Sequence, residues 1–98
     1  MTTYKLEFLP SASKEWKKLG SATREQFTRK LRERLEQPRI PSAKLRNLPD
    51  CYKIKLRAAG YRLIYRVDDG RIIVVVIEVG RRDRDDAYSL AEGRVKSS

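Results

Sequence analysis

Ninety-eight residues suffice for one folded domain with a modest core and are too few for a second. A content of 40% hydrophobic and 37% charged residues folds while leaving an ionic surface. Lysine and arginine number 23 against 13 acids, a formal net charge of +10 that favours polyanionic partners. The composition excludes histidine chemistry, because the chain has no histidine, and it excludes an internal disulfide or a multi-cysteine zinc site, because Cys51 is alone. In chain order, Met1-Thr2-Thr3-Tyr4 carries no basic stretch followed by an apolar one, so no secretion signal is expected and the protein reads as cytoplasmic. Tyr4, Leu6 and Phe8 alternate with Lys5 and Glu7, the period of a strand with one buried face, which Pro10 and Ser11 then stop. Ala12, Trp16 and Leu19 recur at helical spacing in a short segment ending at Gly20, a residue suited to the left-handed turn after a helix. Ser21 is placed to cap a second helix over residues 22–36, whose apolar stripe is Phe27, Leu31 and Leu35.

Residues 37–50 hold Pro38, Pro41 and Pro49 and read as an extended connector. Three strands follow. The first buries Tyr52, Ile54 and Leu56, and the second Tyr61, Leu63, Tyr65 and Val67. The third, over residues 72–79, is β-branched on both faces and belongs inside the sheet. Asp69-Gly70 between the last two is a two-residue hairpin signal. The longest apolar run, residues 72–77, is far shorter than the roughly 20 residues of a spanning helix, so no membrane contact is expected. Cys51, among apolar neighbours, reads as a buried structural thiol. The expected fold is α+β in a single domain, 1–98: an N-terminal strand and a helical hairpin packed on one face of a four-stranded, mostly antiparallel sheet, with a short C-terminal helix and the other sheet face left for function.

The alternation that buries Tyr52, Ile54 and Leu56 sends Lys53, Lys55 and Arg57 to the opposite face. For the apolar faces of the two adjoining strands to coincide, the loop between them must hold an even number of residues. Residues 57–60, ending in Gly60, satisfy this and set Leu56 against Tyr61, Ile54 against Leu63 and Lys55 against Arg62. Like charges directly opposite destabilise a sheet by about 0.2–1 kcal/mol, so a sheet selected for stability alone has little reason to contain that pair. A charge run on a basic protein is often only a solvated face. Here the cations share one face and oppose each other across strands, and Asp50 is the only acid between Lys44 and Val67, which points to a phosphate site.

RNA supplies its own nucleophile, the 2′-hydroxyl, so cleaving it requires a base for that proton, a donor for the leaving 5′-oxygen and charge to stabilise the phosphorane. Lysine, with an ordinary pKa of ~10.4, is pushed downward by neighbouring cations, and Lys55 lies among Lys53, Arg57 and Arg62. Arginine stays protonated and stabilises negative charge, while tyrosine stacks on bases. A second cluster runs from Val79-Gly80-Arg81-Arg82 to Tyr88. Its Asp83, Asp85 and Asp86 read as caps for a short helix and lack the spacing of a metal loop, whereas Arg82 and Tyr88 are less well explained as surface. No metal or other cofactor is expected.

Four segments resemble the RelE toxins of bacterial toxin–antitoxin pairs. They are Lys14-Glu15-Trp16-Lys17-Lys18-Leu19-Gly20, the run from Lys44-Leu45-Arg46 through Pro49-Asp50-Cys51-Tyr52-Lys53-Ile54-Lys55-Leu56-Arg57, then Gly60-Tyr61-Arg62-Leu63, and Val79-Gly80 through Tyr88. The resemblance implies a metal-independent, ribosome-dependent endoribonuclease that cuts messenger RNA in the decoding site, leaving a cyclic phosphate and a 5′-hydroxyl. It implies catalytic roles for Lys53, Lys55, Arg62, Arg82 and Tyr88, and contacts to small-subunit ribosomal RNA for Lys44, Arg46 and Arg57. A RelB-like antitoxin would neutralise the toxin, and operator DNA would be met only through the joint complex. The tail after Tyr88 departs from the pattern, because Gly93 lies inside the expected closing helix, where glycine costs about 1 kcal/mol relative to alanine. Two other classes stay open: a ParE-like inhibitor of DNA gyrase on the same fold, and a catalytically silent RNA- or ribosome-binding module.

Overall fold

The computed structural model describes residues 3–81. The elements run β1 (Lys5–Phe8), α1 (Pro10–Lys17), α2 (Ser21–Glu36), a 3-10 turn (Pro41–Ala43), β2 (Cys51–Leu56), β3 (Tyr61–Asp68) and β4 (Ile73–Arg81). The sheet order is β1-β4-β3-β2, with β1 parallel to β4 and the other pairs antiparallel. β4 is therefore interior, as its β-branched run predicts. The expected C-terminal helix lies outside the described residues.

Pro10 ends β1 and begins α1, because its fixed φ suits the first helical position and its missing N–H is not needed there. Two cap expectations are corrected. Gly20 is extended (φ −64°, ψ 155°) and serves as the N-cap of α2 rather than as a left-handed terminator, and Ser21 is the first helical residue. The α1–α2 joint is short: Lys18 caps the end of α1 and Gly20, two residues on, caps the start of α2.

Both helices cover one sheet face. Ala12, Phe27 and Leu31 pack there against Tyr52, Ile54 and Leu56 of β2, Leu63, Tyr65 and Val67 of β3, and Val74, Val76 and Val79 of β4. Trp16 bridges Phe8 (5.3 Å between ring centroids) and Phe27 (6.2 Å). Arg34 of α2 ties the helical layer to the strands, with Nη1 donating to the Lys53 carbonyl (3.3 Å) and to the Tyr65 hydroxyl (2.9 Å). The Tyr65 hydroxyl in turn donates to the Pro38 carbonyl (2.6 Å).

The opposite face is not left wholly open. Leu45 and Leu48 of the proline-rich connector fold over it and bury Cys51, Ile64 and Ile77 in a second, smaller cluster. Burial pushes the Cys51 thiol up to about 11, consistent with an inert structural residue. The β3–β4 connection is also longer than the Asp-Gly dipeptide suggests: Asp68 pairs with Ile73, which leaves residues 69–72 in the turn, with Ile72 at φ 57°.

Candidate nucleic-acid interface

The β2–β3 pairing is the one that the even-loop argument requires: Leu56 faces Tyr61, Lys55 faces Arg62 and Ile54 faces Leu63. The turn closes where Gly60, at φ 72°, donates to the Leu56 carbonyl (2.9 Å), a conformation in which a side chain is strained. Arg57 lies in this turn and is exposed, so two of the three predicted strand cations, Lys53 and Lys55, stand on β2 itself.

Read across the sheet, the second face forms rows. Lys55 pairs with Arg62, which pairs with Gly80; Lys53 pairs with Ile64, which pairs with Glu78; Cys51 pairs with Arg66, which pairs with Val75. Lys53, Lys55, Arg62 and Arg66 are each half-buried. The structure thus brings Lys53, Lys55 and Arg62 together and adds Arg66.

Lys44 and Arg46 flank the buried Leu45 on the connector. Lys44 forms an isolated bridge with Tyr52, and Leu45 donates its N–H to the Cys51 carbonyl (3.0 Å). Both cations are exposed beside the start of β2, separate from the Lys55–Arg62 row. Arg82 and Tyr88 lie outside the described residues. β4 ends at Arg81, whose guanidinium stands 5.8 Å from the centroid of the Tyr61 ring. Its pairing with Tyr61 brings the end of β4 to the same end of the sheet as Lys55 and Arg62.

One residue escaped the sequence reading. Glu78, 2% exposed, comes from β4 onto the cationic face because the β3–β4 register shifts at Ile64/Tyr65. Ile64 pairs with Glu78 and Tyr65 with Val76, which leaves Ile77 as the extra residue of a bulge. The signal available was a lone acid in an otherwise apolar strand, but its face depends on the bulge. Among the described residues no group of three or more His, Cys, Asp or Glu could hold a metal ion, and no helix is long and apolar enough to cross a membrane. The arrangement offers a phosphodiester clustered positive charge, with two lysine amines and two guanidinium groups on one rigid pair of strands.

Residues 6–86 match the family model of the ParE toxin of type II toxin–antitoxin systems. The chain is 56% identical over 92 residues to the mRNA interferase toxin RelE of Escherichia coli K12, covering 94% of this chain and 97% of that one. It superposes on an arginine-to-alanine double mutant of E. coli toxin RelE in the free state with a TM-score of 0.88, at 54% identity and covering 94% of this chain and 97% of that one. It also superposes on the toxin of the intact E. coli RelBE toxin–antitoxin complex with a TM-score of 0.80, at 58% identity and covering 83% of this chain and 99% of that one. The fold, the row of opposed cations and the identity across nearly the whole length agree: the chain belongs to the RelE family of type II toxins.

Proposed function

We infer that this chain is the toxin of a type II toxin–antitoxin pair, an endoribonuclease that cuts messenger RNA in the ribosomal A site by attack of the 2′-hydroxyl and so stops translation. The observation that carries the reading is the antiparallel register that opposes Lys55 to Arg62 with Lys53 in the adjoining row. It stands beside the 56% identity to an mRNA interferase. In the reaction the 2′-oxygen gives up its proton and attacks phosphorus, the bond to the 5′-oxygen breaks, and that oxygen takes a proton. The products are a cyclic phosphate and a 5′-hydroxyl. Lys55 acts as base or charge partner for the 2′-oxygen, with Lys53 beside it. Arg62 clamps the phosphate, since a guanidinium stays protonated and offers a planar fork of donors. Arg82 serves the leaving side and Tyr88 stacks on the base. Lys44, Arg46 and Arg57 grip ribosomal RNA, which their exposure allows.

The partner is a RelB-like antitoxin, as in the relative's complex, and operator DNA is reached only through the joint complex. The protein works in the cytoplasm as one domain, 1–98. The matched family model carries the name of ParE, so gyrase inhibition is the competing reading. Inhibition by protein contact gives no reason to oppose lysine and arginine across two strands.

Mapping cut sites on a messenger with and without programmed ribosomes tests the reading. Cleavage within the A-site codon, leaving 5′-hydroxyl ends and hardly any cutting of free RNA, is expected, because positioning supplies on the order of 7–11 kcal/mol in the best cases and this site has no histidine base. Comparable cutting of free and ribosome-bound RNA overturns ribosome dependence, and intact messenger with inhibited gyrase favours the ParE-like alternative.

A further inference from the structure

We propose that Arg34 is a positioning residue for the cleavage site, a guanidinium on α2 that fixes the outer edge of β2 at the backbone of Lys53. The proposal rests on the catalytic reading of the cationic face given above. β2 is an edge strand, last in the order β1-β4-β3-β2. On such a strand every second residue turns its N–H and C=O away from the sheet, where no neighbouring strand meets them. The connector identifies these residues on β2, because the Cys51 carbonyl accepts the N–H of Leu45 (3.0 Å) from outside the sheet. The carbonyl of Lys53, two residues on, points the same way. There Arg34 stands in for a strand, its Nη1 donating to the Lys53 carbonyl (3.3 Å).

The guanidinium that does this is itself held. The same Nη1 donates to the Tyr65 hydroxyl (2.9 Å), and the guanidinium carbon stands 5.8 Å from the centroid of the Tyr65 ring. That hydroxyl donates in turn to the Pro38 carbonyl (2.6 Å), and Tyr65 is fully buried on the interior strand β3. A chain of hydrogen bonds thus runs from the middle of the sheet to its edge. A cation in the last turn of α2 would suit the helix dipole wherever it pointed, and apolar contacts already join the helices to the sheet. What neither role requires is the point of attachment. It is the carbonyl of the residue whose amine stands in the row beside Lys55 and Arg62. Side chain and carbonyl belong to one residue, so drift of the edge at Lys53 carries the amine with it, and a misplacement of about 1 Å can cost about 100-fold in rate. Arg34 acts through Lys53 and not on the reacting atoms.

The test is single-turnover cleavage of messenger on preassembled programmed ribosomes at saturation, alongside ribosome affinity, for wild type, Arg34→Gln, Lys53→Ala and the double variant. Glutamine stays polar and helix-forming but is too short to reach both acceptors. Arg34→Gln is expected to lower the saturated rate about fivefold, to leave ribosome affinity within about twofold, and to cost nothing further in the Lys53→Ala background. A wild-type rate for Arg34→Gln overturns the proposal, as does an equal loss with and without Lys53, which would mark a general effect on the fold. Should Arg34→Gln fail to fold, Arg34→Lys takes its place, because it keeps the charge but replaces the planar fork with a single ammonium. A loss that vanishes without Lys53 supports the proposal; a persistent loss or none overturns it. Wild type and Lys53→Ala are the controls for the site itself. If wild type leaves messenger intact or Lys53→Ala cuts normally, the catalytic reading of Lys53 falls and the proposal with it; if they differ as expected and Arg34→Gln cuts normally, only the proposal falls.

Discussion

The two ends of the sheet treat positive charge in opposite ways. Where β2 begins and β3 ends, Arg39 is surrounded by acceptors. It donates to Asp69 from Nε (3.0 Å) and Nη2 (2.7 Å), and from Nη1 to Asp50 (2.9 Å) and the Tyr52 hydroxyl (3.3 Å), while Tyr4 donates to the other Asp69 oxygen (2.6 Å). Where β2 ends and β3 begins, Lys55 faces Arg62, with Lys53 in the adjoining row and Glu78 as the acid the strands set among them. The first arrangement joins the connector, the β3–β4 turn and the chain preceding β1, and sets one arginine against two carboxylates, so no positive charge is left over. The second leaves an excess of cations on a rigid surface, which costs stability and suits a phosphate backbone. The same residue type is thus a fastener where carboxylates surround it and, on the proposed function, a binding group where they do not.

The sharpest way to break this comparison is to remove one cation from each end. Lys55→Ala and Arg62→Ala should each lower single-turnover cleavage at saturating ribosomes by on the order of 100-fold, as expected for proton-transfer or charge-stabilising groups, while still binding ribosomes. Arg39→Ala should cut within about twofold of wild type. If Arg39→Ala lost as much as Lys55→Ala, or if Lys55→Ala cut normally at saturation, the division of labour would be wrong.

A smaller effect separates gripping from chemistry. Lys44→Ala and Arg46→Ala should keep the saturated rate and weaken ribosome binding. Each should also flatten the dependence of log affinity on log salt by roughly 0.7–0.9, one phosphate contact and its released counterions per side chain. An unchanged salt slope would remove these two exposed connector residues from the RNA contact.

The cationic half of the sheet was legible because its determinants are local. Alternation assigns faces, and a loop of even length fixes the pairing, so Lys55 opposite Arg62 follows from spacing alone. What escaped was non-local. The bulge that turns Glu78 toward the cations depends on how β4 meets β3, and nothing in an apolar run marks which residue will be extra. The connector read as extended from its prolines, but that Leu45 and Leu48 close over Cys51, Ile64 and Ile77 is a packing outcome. The Asp-Gly dipeptide marks a turn without fixing its length, because pairing of Asp68 with Ile73 makes it four residues. The Arg39 cluster unites residues from four separate segments and has no pattern within any of them. Arg82 and Tyr88 stand on the family resemblance alone.

The smallest expected effect tests the fastener end by its pH dependence. The hydrogen bond from Tyr4 and those from Arg39 hold the Asp69 carboxyl below its ordinary value, while the same bond to Asp69 raises the Tyr4 phenol. A carboxylate whose folded pKa is depressed contributes stability above its unfolded value, about 3.9, and loses it as pH falls through the folded value. A phenol whose folded pKa is raised contributes below its unfolded value, about 10, and loses that contribution as pH rises through the folded value. Asp69→Asn removes the negative charge, and one of the two acceptor oxygens, on which both depend. Its Tm should therefore lie below that of wild type between about pH 5 and pH 9, and the gap should narrow toward acid, where wild-type Asp69 is protonated, and toward alkali, where Tyr4 ionises. Thermal melts of the two proteins across that range read the gap directly. The groups are exposed, so high salt should shrink it everywhere, without moving the cleavage rate of the variant at saturating ribosomes. A gap that stayed constant down to about pH 3 would mean that the aspartate acts by shape alone, and the contrast between a neutralised end and a charged end would lose its electrostatic basis.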